Sequence, residues 1–333
     1  MSKKPYGAIA LAVILALFSI SSSVDKTGKI SVNGLSFAYV DEGSGPPIVL
    51  VHGSVSDYRE WSKQMAPFAK HYRVIAYSRR YHWPNLAPGK DADASVERQA
   101  DDLAAIIRAM GIAPAHIVGH SIGGAVALNL ALRHPELVRT LALAEPAVSG
   151  VLGEAPENEA VSKESQAVRA EMKEAFASGD AERIVRTYAA NVALGEFEKA
   201  PPEVRQMLIA NVPAFQLDFT SRRPPFTCDD ARRVAVPVLI LSGDRSPMGL
   251  QHIAEAAARC IKGARFVTIR RPRIGCSTIN RKRSMTRFSH SSRGTEGDRT
   301  EHRLAFVVEA EQNPWTRPAG APLATCLVRR MVL

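Results

Sequence analysis

The sequence predicts an α/β fold: a mostly parallel central sheet flanked by helices, with a helical segment inserted between two strands. Three observations predict it. Between residues 29 and 269, short β-branched runs alternate with longer stretches of helical periodicity, the pattern of strand-helix-strand units. The runs Ile48-Val49-Leu50-Val51 and Val238-Leu239-Ile240-Leu241 are apolar on both faces, as central parallel strands require. From about residue 149 to 233 the alternation stops, and apolar residues recur only at helical spacing.

Taken in order, strands are expected at 29–32, 36–40, 47–51, 73–77, 116–120, 140–144, 236–241 and 265–269, with helices at 58–70, 95–110, 122–133 and 250–261. Within the insertion, Val161, Val168, Met172 and Phe176 mark one helix, and Ile184, Tyr188 and Val192 a second. Gly179-Asp180 separates them, and Pro201-Pro202 opens a third. The expected organisation is a core at 29–148 and 234–269 with a helical cap at 149–233. No internal repeat is evident.

The two ends read differently from the core. Lys3 and Lys4, a small-apolar run over 7–18, Ile20 and the serines Ser21 to Ser23 form a signal-peptide pattern, so export is expected, with cleavage after Ser23. The apolar run is shorter than the roughly 20 residues that span a bilayer, which leaves an uncleaved N-terminal anchor as the alternative and the only expected membrane contact. No cysteine follows that run, so lipid attachment has no acceptor. The other cysteines lie far apart without metal-type spacing, and Cys228 and Cys260 read as incidental or buried residues.

Of the formal net charge of +10, +8 falls in residues 270–333, leaving the rest of the chain at +2. A disordered chain is excluded by 46% hydrophobic residues. The basic segment lacks the aromatic interleaving of a nucleic-acid surface, so no nucleic-acid partner is expected.

The chemistry is concentrated in Gly119-His120-Ser121-Ile122-Gly123-Gly124, which follows a strand and opens a helix. Such a sharp turn presents a serine hydroxyl for attack, and its neighbours two before and two after must be small for strand and helix to approach. An attacking serine also needs backbone N–H donors for the oxyanion it creates. The candidates are the N–H groups of Ser54, in the loop His52-Gly53-Ser54 after the strand 47–51, and of Ile122. His52 itself reads as a structural histidine bonding that loop. Downstream, Ser242-Gly243-Asp244 puts a carboxylate at the end of a central strand, where open α/β sheets hold their sites. Asp244 is the expected histidine-orienting acid, with Glu145 in reserve. No cofactor or metal motif is present.

His52-Gly53, the Ser121 turn and Gly243-Asp244, in this order and separation, resemble the α/β-hydrolase superfamily, especially its capped members. The resemblance covers about 29–269 and implies a serine nucleophile forming an acyl-enzyme on an ester-like bond of a small molecule. Epoxide- and haloalkane-cleaving relatives carry aspartate at the turn, so Ser121 argues against those chemistries. Two departures stand out. The loop Ser78-Arg79-Arg80-Tyr81-His82-Trp83-Pro84-Asn85 replaces the aspartate and glycine-rich turn usual in relatives; a packed surface loop is expected, with lining of the pocket mouth as the alternative. The family's histidine, expected a few residues past the last strand, is also missing: Arg273-Ile274-Gly275-Cys276 stands there, and the next histidines are His290 and His302.

Eight basic and no acidic residues occupy 270–293, where the family's closing helix should lie. A shifted reading frame near Ile269 accounts for both changes, and it implies an impaired enzyme. The alternatives are an active enzyme using His290 or His302, and a non-catalytic binding protein whose basic tail meets an anionic surface.

Overall fold

The computed structural model describes residues 26–153, 158–192, 197–221 and 225–269. The N-terminal signal-like segment and residues 270–333 lie outside the described residues, as do His290 and His302. Among the described residues, no helix is long and apolar enough to cross a membrane.

Eight strands form one sheet: β1 Lys26–Val32, β2 Leu35–Gly43, β3 Pro47–Val51, β4 Arg73–Tyr77, β5 Ala115–His120, β6 Val138–Ala144, β7 Val238–Gly243 and β8 Arg265–Ile269. Their order is β1-β2-β4-β3-β5-β6-β7-β8. The first two strands form an antiparallel hairpin through Asn33-Gly34, both at positive φ, and β2 runs antiparallel to β4. From β4 to β8 every pairing is parallel, so these strands end at one edge of the sheet. The expected strands at 47–51, 73–77 and 265–269 match to the residue; the others differ at their ends by a few residues.

Helices cover the sheet because each carries an apolar stripe. On one face lie α2 (Val96–Ala109), α3 (Ile122–Arg133) and α9 (Met248–Cys260), burying residues such as Leu103, Ile107, Leu128 and Ile253 against Val49, Ile117 and Ile240. On the other, Met65 and Phe68 of α1 (Ser62–Ala69) meet Leu50 and Val74. Ser95 caps α2 by accepting from Arg98 N–H, which fixes where that helix begins.

Between β6 and β7 stands the cap. Its helices are α4 (Glu159–Ala177), α5 (Ala181–Asn191), α6 (Pro202–Ala210), α7 (Val212–Thr220) and α8 (Cys228–Arg232). Asp180 accepts from Glu182 and Arg183 N–H, so the break read at Gly179-Asp180 is an N-cap. The cap has its own core of Phe176, Ile184, Val185, Leu208 and Phe215, with Phe215 packed edge-on to Phe176 and Tyr188. Val55, from the loop after β3, is buried in that same cluster.

Cys228 and Cys260 correct the expectation that they are incidental: they form a disulfide joining α8 to the end of α9, with Cα atoms 5.2 Å apart. Distance in sequence hid the pairing, because the strand-helix unit between them turns back on itself. Their separation of 32 residues makes the bridge worth about 3–4 kcal/mol by restricting the unfolded chain. Reduction, or Cys228→Ser with Cys260→Ser, is expected to lower stability by that amount, read from urea-unfolding midpoints with and without reductant.

Candidate active site

Because β3 to β7 are parallel, the loops that follow them converge on one edge. After β3 comes His52-Gly53-Ser54, after β5 Ser121, after β6 Glu145, and after β7 Asp244. Arg79 follows the neighbouring β4. Four of the loops come from adjacent strands, so the topology brings Ser121, Ser54, Ile122, Glu145 and Asp244 to one end of the sheet.

Ser121 has φ 51° and ψ −118°, a conformation that costs an ordinary residue about 1–3 kcal/mol. Four hydrogen bonds hold it there: its N–H donates to Ala144 C=O, and its C=O accepts from Gly124, Ala125 and Ala147 N–H. The flanking glycines are required sterically. A Cβ at Gly119 would lie 2.6 Å from Gly123 C=O, and one at Gly123 would lie 2.3 Å from Val51 C=O. With strand and helix this close, the serine sits at the N-terminus of α3, where Ile122 N–H and the helix dipole favour a developing anion.

His52 is structural, as its sequence context implies. Its buried ring is held neutral by burial and by the Arg79 charge. Arg79 N–H donates to Nε2 (2.9 Å), so the proton sits on Nδ1 and is donated to Gly53 C=O (2.8 Å).

Glu60 was not legible as a site residue. Its Oε2 accepts from Gly53 N–H (3.0 Å) and its Oε1 meets His120 Nδ1 (2.8 Å), so one carboxylate braces the loop before Ser54 and the residue before Ser121. Burial alone would raise its pKa, but the His120 charge and hydrogen bond, His52 and Gly53 N–H outweigh it and hold the carboxyl at about 2. Burial likewise opposes the His120 charge, yet Glu60 and Glu145 leave its pKa raised. A carboxylate depressed in the fold contributes stability above its unfolded pKa, and that contribution fades as pH falls through the folded value. Glu60→Gln is therefore expected to flatten the acid-side loss of stability between about pH 4.5 and 2, measured as urea midpoint against pH.

Glu145, at φ 45°, is buried, and its Oε1 accepts from Ser242 Oγ (3.1 Å) and Gly243 N–H (3.0 Å). It thereby locks the turn that carries Asp244, whose N–H donates to Ile269 C=O. Asp244 is exposed.

The loop after β4 is packed more deeply than a surface loop, with Ser78, Arg79, Arg80 and His82 buried, while Trp83 remains exposed. Arg80 pairs with Asp102 of α2 at 2.6 Å, and the fully buried Arg79 pairs with Asp218 of α7 at 2.9 Å. Arg79 also contacts Gln99, whose amide donates to the other Asp218 oxygen. A second tie runs through Asn211, which donates to Asp57 and accepts from Trp83 N–H. Residue type misled here, because long cations on a loop are ordinarily solvated, and the partner of Arg79 lay in a cap helix 139 residues away.

Among the described residues, no histidine is hydrogen-bonded to Ser121. None of their His, Cys, Asp and Glu side chains gathers in threes as a metal set.

A family model for the alpha/beta hydrolase fold matches residues 46–270. The chain belongs to that family. The match to the alpha/beta hydrolase fold stops where the basic segment begins. The 2-hydroxymuconate semialdehyde hydrolase of Pseudomonas sp. strain CF600 is 39% identical over 108 residues, 31% of this chain and 37% of that one. The (E)-2-((N-methylformamido)methylene)succinate hydrolase of Acinetobacter baylyi is 30% identical over 120 residues, 36% of this chain and 44% of that one. The chain thus matches less than half the length of these curated relatives. The solved esterase of Thermogutta terrifontis is 26% identical with a TM-score of 0.54, covering 74% of this chain and 90% of that one.

Proposed function

We propose that this alpha/beta hydrolase acts through Ser121 as a serine hydrolase on an ester-like bond of a small molecule. Ser121 Oγ adds to the acyl carbon, the oxyanion is held by the N–H groups of Ser54 and Ile122, the leaving group departs, and water releases the acyl group. The observation that carries this reading is the strained backbone of Ser121 between two glycines that admit no Cβ. An elbow with no need to expose its side chain has no reason to hold a non-glycine residue there. Asp244 is the proposed acid, and Glu145 fixes its turn.

The base is the incomplete part, since the described residues offer Ser121 no bonded histidine. His290 or His302 supplies it, or the segment after Ile269 comes from a shifted frame and the enzyme is impaired. The end of the family match at residue 270 supports the shift. Reading the other two frames of the gene past codon 269 decides this, because a genuine shift restores a Gly-His and an amphipathic helix there. Export is proposed from the N-terminal pattern, and the Cys228–Cys260 disulfide supports passage through an oxidising compartment.

A fluorophosphonate probe tests the central claim, with labelling expected in the wild type and absent in Ser121→Ala. The missing bonded base also favours a second reading, a binding protein that keeps the pocket without the chemistry. A wild type that does not label fits that reading and the frame-shifted enzyme alike, and the other two frames past codon 269 separate them.

A further inference from the structure

The peptide that would donate Ser54 N–H to an oxyanion is the one whose carbonyl belongs to Gly53. In a trans peptide, the C=O and N–H lie in one plane and point in opposite directions. Whatever fixes the Gly53 carbonyl therefore fixes where Ser54 N–H points.

That carbonyl accepts two buried hydrogen bonds, from Arg79 NH2 at 2.9 Å and from the His52 ring at 2.8 Å. Arg79 Nε also donates to the preceding carbonyl, His52 C=O, at 3.1 Å. The guanidinium thus grips two successive carbonyls on the side of the loop away from the donor. Its fork suits this task, because its N–H groups diverge at fixed angles that one ammonium cannot reproduce. Its position is set in turn by Asp218, by Gln99 and by His82 Nε2 at 3.1 Å. Burial keeps His82 neutral, so that ring nitrogen accepts rather than repels.

We propose that Arg79 is a positioning residue for the oxyanion hole, holding the Gly53–Ser54 peptide so that Ser54 N–H faces the acyl oxygen of a substrate on Ser121. The proposal rests on Ser121 being the nucleophile. A cation on the carbonyl also withdraws electron density through the peptide and makes its N–H the stronger donor, since hydrogen bonds in series polarise one another. Asp218 belongs to the cap, so the oxyanion donor is oriented from the cap, through one buried side chain.

The test compares full-length wild type, Arg79→Lys and Ser121→Ala, each shown to be folded by near-ultraviolet circular dichroism at the assay temperature. The lysine variant keeps the charge but cannot bridge both carbonyls. Losing one oxyanion donor typically lowers kcat by about 10²- to 10³-fold, so a misaligned one is expected to lower it about 10- to 100-fold with KM unchanged. Affinity for a trifluoromethyl ketone, which captures the serine as a tetrahedral alkoxide, is expected to fall by the same factor as kcat/KM. A purely structural role would lower thermal stability and leave kcat of the folded enzyme alone. Equal kcat in wild type and Arg79→Lys overturns the proposal while the serine-hydrolase reading stands. A wild type indistinguishable from Ser121→Ala removes that reading, and the proposal with it. If Arg79→Lys does not fold, Asp218→Asn carries the test: a fall in kcat at constant KM supports the proposal, and an unchanged kcat overturns it.

Discussion

Ser121→Ala is expected to abolish fluorophosphonate labelling while leaving the fold intact. The two halves of that expectation have separate causes. Labelling requires the serine oxygen to displace fluoride at phosphorus, which a methyl group cannot do; where a complete triad operates, loss of the serine lowers kcat by about 10⁶-fold. The fold is expected to survive because Ser121 is anchored by its backbone, through Ala144, Gly124, Ala125 and Ala147, and not by its hydroxyl. Alanine carries the same strain at φ 51°, so urea midpoints should differ little. Labelling that persists in Ser121→Ala would place the reactive group elsewhere and refute the assignment.

Gly123→Ala is expected to destabilise the fold sharply. The added carbon would sit 2.3 Å from Val51 C=O and 2.5 Å from His52 C=O, both backbone atoms of a central strand and the loop it feeds. No side-chain rotation relieves that, so α3 must move off the sheet. Overpacking of this kind costs about 3 kcal/mol, the upper end of its usual range. His52 C=O also accepts from Arg79, so the same displacement reaches the loop that carries Ser54. Gly89→Ala is the control, because nothing lies within 4 Å of its added carbon and its φ is unexceptional. A Gly123→Ala protein as stable as Gly89→Ala in urea would show that the elbow is looser than its geometry implies.

How legible these features were depended on the range of the forces involved. The Ser121 elbow could be read because its requirements are local: a strand, a positive φ, small neighbours and a helix within a few residues. The sheet could be read because burial on both faces imposes an apolar run that needs no knowledge of partners. Glu60 was invisible, since a carboxylate seven residues from Gly53 and sixty from His120 carries no pattern. Arg79 was misjudged for the same reason, and the cysteine pair was missed because only the return of α9 brings its ends together. What stayed hidden was the set of polar partners made by tertiary structure.

Val55 ties the cap to the core. It follows Ser54 in the loop after β3 and ends among Phe176, Leu208 and Phe215, so the hydrophobic centre of the cap contains a piece of the core's own loop. Caps are attractive units to exchange when a hydrolase is redirected to a new substrate. Here a graft bounded at the ends of β6 and β7 would leave a hole where Val55 fitted, and a foreign cap would have to be chosen together with residues 52–57. Recombination between such enzymes should therefore tolerate crossovers that keep the loop and the cap from one parent, and reject those that divide them.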